Sequence, residues 1–259
     1  MTRNELAVAV DVGNSAVKVV IAKEANEPLS QRAFLLDQSN WIESLCRWVR
    51  KTTCDTPTRW IVSTVNRRAS VPLNRAVDDF FSDVVWRNIG HEDVPIRVDV
   101  DFPDRVGIDR IIGAHAAANR HPAPLVVVDV GSAVTVDSVG QDESGHPVFE
   151  GGAIFPGIRL QHAALEIGTE NLKRPETPSQ PSGSKAMLPG KNTEQAIRLG
   201  VIASVAGAVE RLTDAYSGEP RSGSPRHLIL TGGDGSLLSL IHISEPTRRT
   251  IPSRMPSSA

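Results

Sequence analysis

Residues 6–22, with the sequence LAVAVDVGNSAVKVVIA, decide the fold of this chain. Two runs of β-branched and other apolar residues flank the turn formers Gly13, Asn14 and Ser15, a pattern typical of a β-hairpin. Glycine lets the backbone approach a ligand closely, and the exposed N–H groups of such a turn can bind phosphate oxygens. The same residues are also ordinary turn formers, so one copy alone leaves both interpretations open.

The same pattern returns in residues 123–140, APLVVVDVGSAVTVDSVG, which aligns Asp129 with Asp11. A repeat separated by this length of chain is a domain-sized unit rather than a solenoid repeat. We therefore predict an α/β protein made of two similar domains in tandem. The predicted divisions are residues 1–115, residues 116–240 and a polar, unfolded tail over 241–259.

Apolar periodicity predicts the elements that connect and follow the hairpins. Predicted helices cover residues 41–51, 70–83, 110–120 and 193–216, with Ser70 as the N-cap of the second helix. Predicted strands cover 59–65 and 96–100, and a buried strand ends in a glycine turn within 226–235. A strand, a Pro-Gly turn and a helix are predicted over 151–167, and a Pro- and Ser-rich surface loop over 174–192.

Composition narrows the class of protein. The 259 residues carry a net charge of −2, and a balanced chain gives no indication of a nucleic-acid partner. No run reaches the length of about 18 apolar residues expected of a membrane span. The N-terminal sequence lacks the parts of a signal peptide, so we expect a cytoplasmic protein. Cys46 and Cys54 match no metal-binding spacing and are interpreted as reduced thiols.

Several charged residues are placed in the sequence where they could bind a metal ion or a phosphate or accept a proton. Asp11, at the end of a predicted strand, could hold Mg²⁺ directly or through water, and Lys18 could add positive charge to a phosphate site. Asp109 and Arg110 stand together at a predicted loop-to-helix junction. A kinase needs a carboxylate to accept the proton of the attacking hydroxyl, yet an acid at a helix start also simply favours the helix dipole.

Two further glycine motifs follow the second hairpin. Thr231-Gly232-Gly233-Asp234 ends an apolar strand, where a glycine pair can pass close to an adenine or a ribose. Glycines also flank the strand within 151–157, GGAIFPG, which indicates close backbone approach or a strand between turns.

Together these motifs, in this order, resemble the type III pantothenate kinases over roughly residues 7–238. The resemblance implies two ribonuclease H-like domains, the duplication seen in actin-like ATPases, around a nucleotide cleft. It also implies ATP-dependent phosphorylation of pantothenate to 4'-phosphopantothenate, the first step of coenzyme A synthesis. Members act as homodimers in which the second subunit helps to form the substrate site.

The resemblance also assigns roles to residues. Asp109 matches the proton acceptor, and Asp129 matches the site of a monovalent cation, potassium or ammonium. The residues that match ATP-binding positions are Asp11, Val12, Gly13, Asn14, Ser15, Ala16, Val17, Lys18 and Ser132. Those that match substrate-binding positions are Gly107, Ile108, Asp109, Arg110, Thr193 and Val100.

The sequence departs from the family pattern in two places. Val100 stands where many members have a substrate-contacting tyrosine. After residue 238 the family continues with a helix and an apolar strand, whereas this chain has the polar sequence ISEPTRRTIPSRMPSSA.

Two other functions are compatible with the sequence. One is a non-catalytic regulator on the same fold, against which the intact Asp11, Asp109 and Asp129 argue. The other is a kinase or phosphatase of the same superfamily that acts on a sugar, acetate or polyphosphate.

Overall fold

The structure is a computed structural model of the full chain. It describes residues 6–24, 27–54, 56, 58–82, 84–173, 189–216, 227–235 and 251–252. The chain divides into two compact units. The first contains residues 1–95, 104–112 and 256–259, and the second contains residues 96–103 and 113–255.

The first unit is built on a five-stranded sheet in the order β3-β2-β1-β4-β5. Strands β1 to β3 form an antiparallel meander, and β4 and β5 continue the sheet in parallel with β1. Their bounds are β1 Leu6–Val12, β2 Ala16–Glu24, β3 Glu27–Leu35, β4 Thr58–Thr64 and β5 Val85–Asn88.

Side chains along the two strands of the first hairpin point alternately to opposite faces of the sheet, and this determines which of them are buried. Val8, Val10 and Val12 on β1 and Val17 and Val19 on β2 are all nearly inaccessible. Because successive side chains of a strand point to opposite faces, Asp11 and Lys18 lie on the face away from this apolar layer. The hairpin predicted from the sequence is confirmed, with its polar residues grouped on one side.

Two helices cover the apolar face of this sheet, α1 over Trp41–Thr53 and α2 over Arg67–Phe80. Leu45 and Val49 of α1 and Leu73 and Val77 of α2 are fully buried against the strands. Burial of this kind stabilises the unit by about 1.5–3 kcal/mol for each side chain.

The predicted N-cap Ser70 is wrong, because α2 begins earlier, at Arg67. Asn66 is the N-cap, and its side chain accepts a hydrogen bond from the Ala69 amide. Asparagine is among the strongest N-cap residues, so it ends the preceding strand and begins the helix at once. Ser70 is buried inside the helix, and Pro72 also lies within it.

The second unit is built on a six-stranded sheet in the order β11-β10-β7-β8-β9-β6. Strands β7, β8 and β9 form an antiparallel meander, while β10 pairs in parallel with β7, and β6 in parallel with β9. Their bounds are β6 Arg97–Val98, β7 Leu125–Val130, β8 Ala133–Gln141, β9 Pro147–Pro156, β10 His227–Thr231 and β11 Ile251–Pro252.

The two units repeat one topology. The order β3-β2-β1-β4 of the first sheet corresponds to β9-β8-β7-β10 of the second, with the same strand directions. The second hairpin is one residue shorter, since Asp11 pairs with Lys18 whereas Asp129 pairs with Thr135. Thr135 therefore occupies in the second unit the register position that Lys18 occupies in the first.

Helices α4, Ile158–Gly168, and α5, Thr193–Tyr216, cover one face of the second sheet. Helix α5 buries a residue at every fourth position, which places one stripe against the strands. The stripe consists of Ile197, Val201, Val205, Val209 and Thr213. Helix α3, Ile108–Ala118, contains the division between the two units after Ile112.

Residues 96–103 precede the predicted boundary at 115/116 but group with the second unit, because β6 pairs with β9. Residues 251–252, within the predicted polar tail, form the short strand β11 beside β10. The rest of the tail lies outside the described residues, as does most of the predicted loop over 174–192. None of the helices in the described ranges is long and apolar enough to cross a membrane.

Candidate functional site

Asp11 lies near the end of β1, the central strand of the first sheet, with polar neighbours on both sides. Lys18 is its register partner on β2, and Ser63 is its register partner on β4. The Ser63 hydroxyl, which is buried, donates a hydrogen bond of 3.2 Å to Asp11 Oδ1. The carboxylate is thereby held between a cationic side chain and a hydroxyl donor.

Burial raises the pKa of Asp11 above its ordinary value. The Lys18 charge and the Ser63 hydrogen bond lower this pKa, and the nearby Asp109 carboxylate raises it further. Because a like charge disfavours the ionised form of Asp11, a cation bound at Asp11 would offset the repulsion. The structure thus brings two predicted site residues, Asp11 and Asp109, within electrostatic reach of each other in one unit.

The glycine turn after Asp11 is held by backbone and side-chain hydrogen bonds. The Gly13 amide donates to the Ala16 carbonyl at 3.1 Å, which closes the turn. The Gly13 carbonyl accepts a hydrogen bond of 3.2 Å from Asn66 Nδ2. The side chains of Asn14 and Ser15, at the tip, are exposed. The predicted phosphate loop therefore has a fixed backbone and an open tip.

The start of α3 carries the predicted proton acceptor. Asp109 is exposed, and its Oδ1 accepts a hydrogen bond of 2.9 Å from the Arg110 amide. Gly107 lies beside Val65, since a Cβ at residue 107 would come within 3.9 Å of the Val65 side chain. The helix start therefore lies beside the segment that follows β4, which also holds the glycine turn.

Asp129 occupies in the second unit the place that Asp11 has in the first. Its register partners are Thr135 on β8 and Thr231 on β10. Gly232 has a positive φ of 99°, and a Cβ there would overlap the Val130 backbone and stand 2.5 Å from Asp129 Oδ1. Only glycine fits this position, so the Gly-Gly motif passes directly against the second hairpin.

Ser132, at the tip of the second hairpin, contacts the start of α4. The Gly157 amide donates a hydrogen bond of 3.0 Å to the Ser132 carbonyl. A Cβ at Gly157 would overlap the Gly131 carbonyl and lie 2.7 Å from the Ser132 carbonyl oxygen. The glycine-flanked strand β9 therefore ends against the second turn, which explains the glycine at 157.

Asp234 is attached to the same hairpin through its amide, which donates to the Val130 carbonyl at 3.0 Å. Burial raises the pKa of this carboxyl, and the charge of Arg159 in the first turn of α4 partly offsets that effect. Asp129, Ser132 and Asp234 are thus gathered around one glycine turn in the second unit.

Thr193 is the first residue of α5, in the second unit. It lines a cavity of about 840 Å³ between α4 and α5, together with Gln161, Asn192 and Ser204. Val100 is half-buried and packs against Gly151 of β9. The two substrate-binding predictions outside residues 107–110 therefore both lie in the second unit.

Two residues of this arrangement escaped the sequence reasoning, Ser63 and Asn66. They lie more than fifty positions from the hairpin that they contact, and only the parallel pairing of β1 with β4 brings them there. Among the described residues there is no group of three or more His, Cys, Asp or Glu side chains that could bind a metal on its own.

Comparison with known proteins gives a consistent result. A family profile described as "Type III pantothenate kinase" matches residues 7–215. A "Type III pantothenate kinase" of Rhodopirellula baltica is 42% identical, and the match covers 89% of this chain and 89% of that protein. One of Halorhodospira halophila is also 42% identical, over 54% of this chain and 50% of that protein.

A solved structure supports the fold at lower similarity. It is the activator of the 2-hydroxyisocaproyl-CoA dehydratase from Clostridium difficile, with bound ADPNP. It superposes with a TM-score of 0.51 at 14% identity and covers 97% of this chain and 89% of that one. Similarity at this level shows the fold alone, two ribonuclease H-like domains.

Proposed function

Because this chain belongs to the type III pantothenate kinase family, we propose that it transfers the γ-phosphoryl group of ATP to the 4'-hydroxyl of pantothenate. The product would be 4'-phosphopantothenate, the first intermediate of coenzyme A synthesis. The placement of two carboxylates, Asp11 and Asp109, beside a rigid glycine turn carries this proposal.

Proton transfer and charge stabilisation would be carried out by different residues of this chain. Asp109 is exposed and would accept the proton of the 4'-hydroxyl as that oxygen forms a bond to the γ-phosphorus. The bond between the γ-phosphorus and the β–γ bridging oxygen then breaks, and ADP leaves. Phosphoryl transfer needs mainly positioning and charge stabilisation, which the hairpin amides and Lys18 would supply.

Cation binding follows from the donor types present. Asp11 is a hard oxygen ligand in a desolvated position with a second carboxylate nearby, which fits Mg²⁺. When bound, Mg²⁺ would neutralise charge on the phosphate oxygens. Asp129, at the end of β7, would hold a monovalent cation, potassium or ammonium. Replacing potassium by sodium should therefore lower turnover in the wild type and change little in Asp129→Asn.

A homodimer is supported by the exposed apolar surface of the second unit. Ile154 of β9 and Leu160 and Ile167 of α4 are 61%, 49% and 87% exposed. Among its described residues α4 buries Ile158 alone, so most of the helix is open to a partner. Sedimentation of the wild type should give a dimer, and Ile167→Lys should shift it toward the monomer. The cytoplasmic location stays a prediction, to be checked by cell fractionation.

The decisive experiment is a substrate panel with product identification. The purified chain, shown to be folded by circular dichroism, is incubated with ATP, Mg²⁺ and potassium. Pantothenate, a hexose, acetate and polyphosphate are offered in parallel reactions. A phosphorylated product with pantothenate alone would support the proposal, and a product with another acceptor would replace it. ATP binding without any transfer would favour the regulator.

A further inference from the structure

Asn66 makes two different hydrogen bonds with one side-chain amide. Its Oδ1 accepts from the Ala69 amide at 3.2 Å, which caps α2. Its Nδ2 donates to the Gly13 carbonyl at 3.2 Å, which reaches the first glycine turn. An N-cap requires only an acceptor, so the second bond is additional to the capping role.

The segment around Asn66 is itself fixed. The Asn66 amide donates to Thr64 Oγ1 at 3.1 Å, and the Val65 amide donates to the Val12 carbonyl at 3.2 Å. Hydrogen bonds therefore run from this segment to two consecutive carbonyls of the hairpin, those of Val12 and Gly13. The helix start and the turn form one hydrogen-bonded unit.

The bond to the Gly13 carbonyl determines where the next amide points. A trans peptide is planar, and its C=O and N–H groups point in opposite directions. Since the Gly13 carbonyl is directed at Asn66, the Asn14 N–H is directed away from it. The Asn14 side chain is exposed, and none of the described residues accepts a hydrogen bond from this amide. The amide is thus free to bind a ligand.

We propose that Asn66 is a positioning residue for nucleotide binding: its Nδ2–H holds the Gly13–Asn14 peptide so that the Asn14 amide faces the phosphate. This inference rests on the proposed function, in which the first hairpin binds ATP. Preorganised donors bind an anion more strongly because no reorganisation is needed at the moment of binding.

Two substitutions separate the capping role from the positioning role. Asn66→Asp and Asn66→Ser keep a good N-cap acceptor but lose the Nδ2 donor, and serine is also neutral and too short to reach the Gly13 carbonyl. Asn40→Asp is the matched control, because Asn40 is the N-cap of α1 and makes no side-chain capping bond. It replaces an asparagine by an aspartate, as Asn66→Asp does, at a position that makes no hydrogen bond to the first hairpin.

The measurements are the Kd of a non-hydrolysable ATP analogue by calorimetry, KM for ATP and for pantothenate, kcat, and Tm. Both Asn66 variants should raise the Kd of the analogue and KM for ATP by roughly three- to tenfold, the effect of one hydrogen bond. KM for pantothenate should stay at the wild-type value, and Tm should fall by no more than about 2–4 °C, the effect of one lost hydrogen bond. Asn40→Asp should change neither the nucleotide affinity nor the kinetic constants.

Wild-type nucleotide affinity in both Asn66 variants would overturn the inference. So would a loss of affinity that only accompanies a larger fall in Tm, since that is what a purely structural residue would give. Failure of the proposed function is a separate outcome. It would appear as a wild-type protein that binds the ATP analogue but forms no phosphorylated pantothenate.

Discussion

The Ser63 hydroxyl donates a hydrogen bond of 3.2 Å to the Asp11 carboxylate, across two parallel strands whose residues are register partners. One strand end thus supplies the acid and the neighbouring strand end supplies its donor. Asp11 still has a raised pKa, because burial outweighs the hydrogen bond and the Lys18 charge. An ionised Asp11 would therefore cost stability, as is common for residues at functional sites.

Asp11→Asn should stabilise the protein in the absence of nucleotide while abolishing activity. Asparagine keeps an oxygen acceptor for Ser63 but removes the buried charge. The folded pKa of Asp11 is raised, so the ionised carboxylate opposes folding above that pKa. The Tm of the variant should exceed that of the wild type at pH 7 to 8.

The pH dependence of the Tm difference between Asp11→Asn and the wild type provides the control. As the pH falls through the raised pKa, the wild-type carboxyl becomes neutral too, and the Tm difference should disappear. A variant that is less stable than the wild type at neutral pH would contradict this account of Asp11.

Asp109→Asn should remove transfer and leave the fold and nucleotide binding intact. The side chain is exposed, so little packing is lost, but the amide cannot accept the substrate proton. General base catalysis contributes at least about a hundredfold, so kcat should fall by that factor or more. Asp104→Asn, an exposed acid in the preceding loop, is the matched control and should behave as the wild type. Retained turnover in Asp109→Asn would exclude this residue as the proton acceptor.

Gly232→Ala should destabilise the second unit by about 1–3 kcal/mol, because a non-glycine residue is strained at its positive φ. The new Cβ would also overlap the Val130 backbone beside Asp129, so nucleotide affinity should fall as well. Gly233→Ala is the control, since its Cβ would meet no atom within 4 Å. Denaturant titration and calorimetry measure both effects. Equal stability of the two variants would show that the turn accommodates a Cβ at residue 232 without strain.

The two cysteines should differ sharply in reactivity. Cys46 is buried in α1, and burial raises the pKa of its thiol to about 11, whereas Cys54 is exposed. Because the thiolate is the reactive form, a thiol reagent at pH 8 should label one cysteine in the folded chain and two in denaturant. Cys54→Ser should then react only after unfolding. Rapid labelling of that folded variant would place Cys46 at the surface.

Elements with a distinct sequence pattern could be predicted from the sequence, and weakly patterned edge strands could not. Both hairpins follow from β-branched runs that flank a glycine turn, and the long helix α5 follows from a stretch with small residues on one helix face. Strand β3, EPLSQRAFL, was missed because it is polar and lies at a sheet edge, where one side has no partner strand. Strand β5 has only four residues, too few for a period to show.

Some residues of the candidate site could likewise be predicted from the sequence, and others could not. The ends of β1 and β7, with their Asp-Val-Gly sequences, were identifiable because the chemistry and the turn lie in consecutive residues. Ser63 and Asn66 were not, since their roles depend on the strand order. Asn66 did carry a signal, because an asparagine directly before a helical pattern favours an N-cap. The Gly13 bond of the same side chain required the fold.

Phosphoryl transfer to pantothenate can be followed by phosphorus NMR of the folded chain with ATP, pantothenate, Mg²⁺ and potassium. We expect a new phosphomonoester resonance, formed together with ADP, that requires pantothenate and is absent with Asp109→Asn. ADP and inorganic phosphate without that resonance, or no consumption of ATP by the folded protein, would contradict the claim that this chain is a pantothenate kinase.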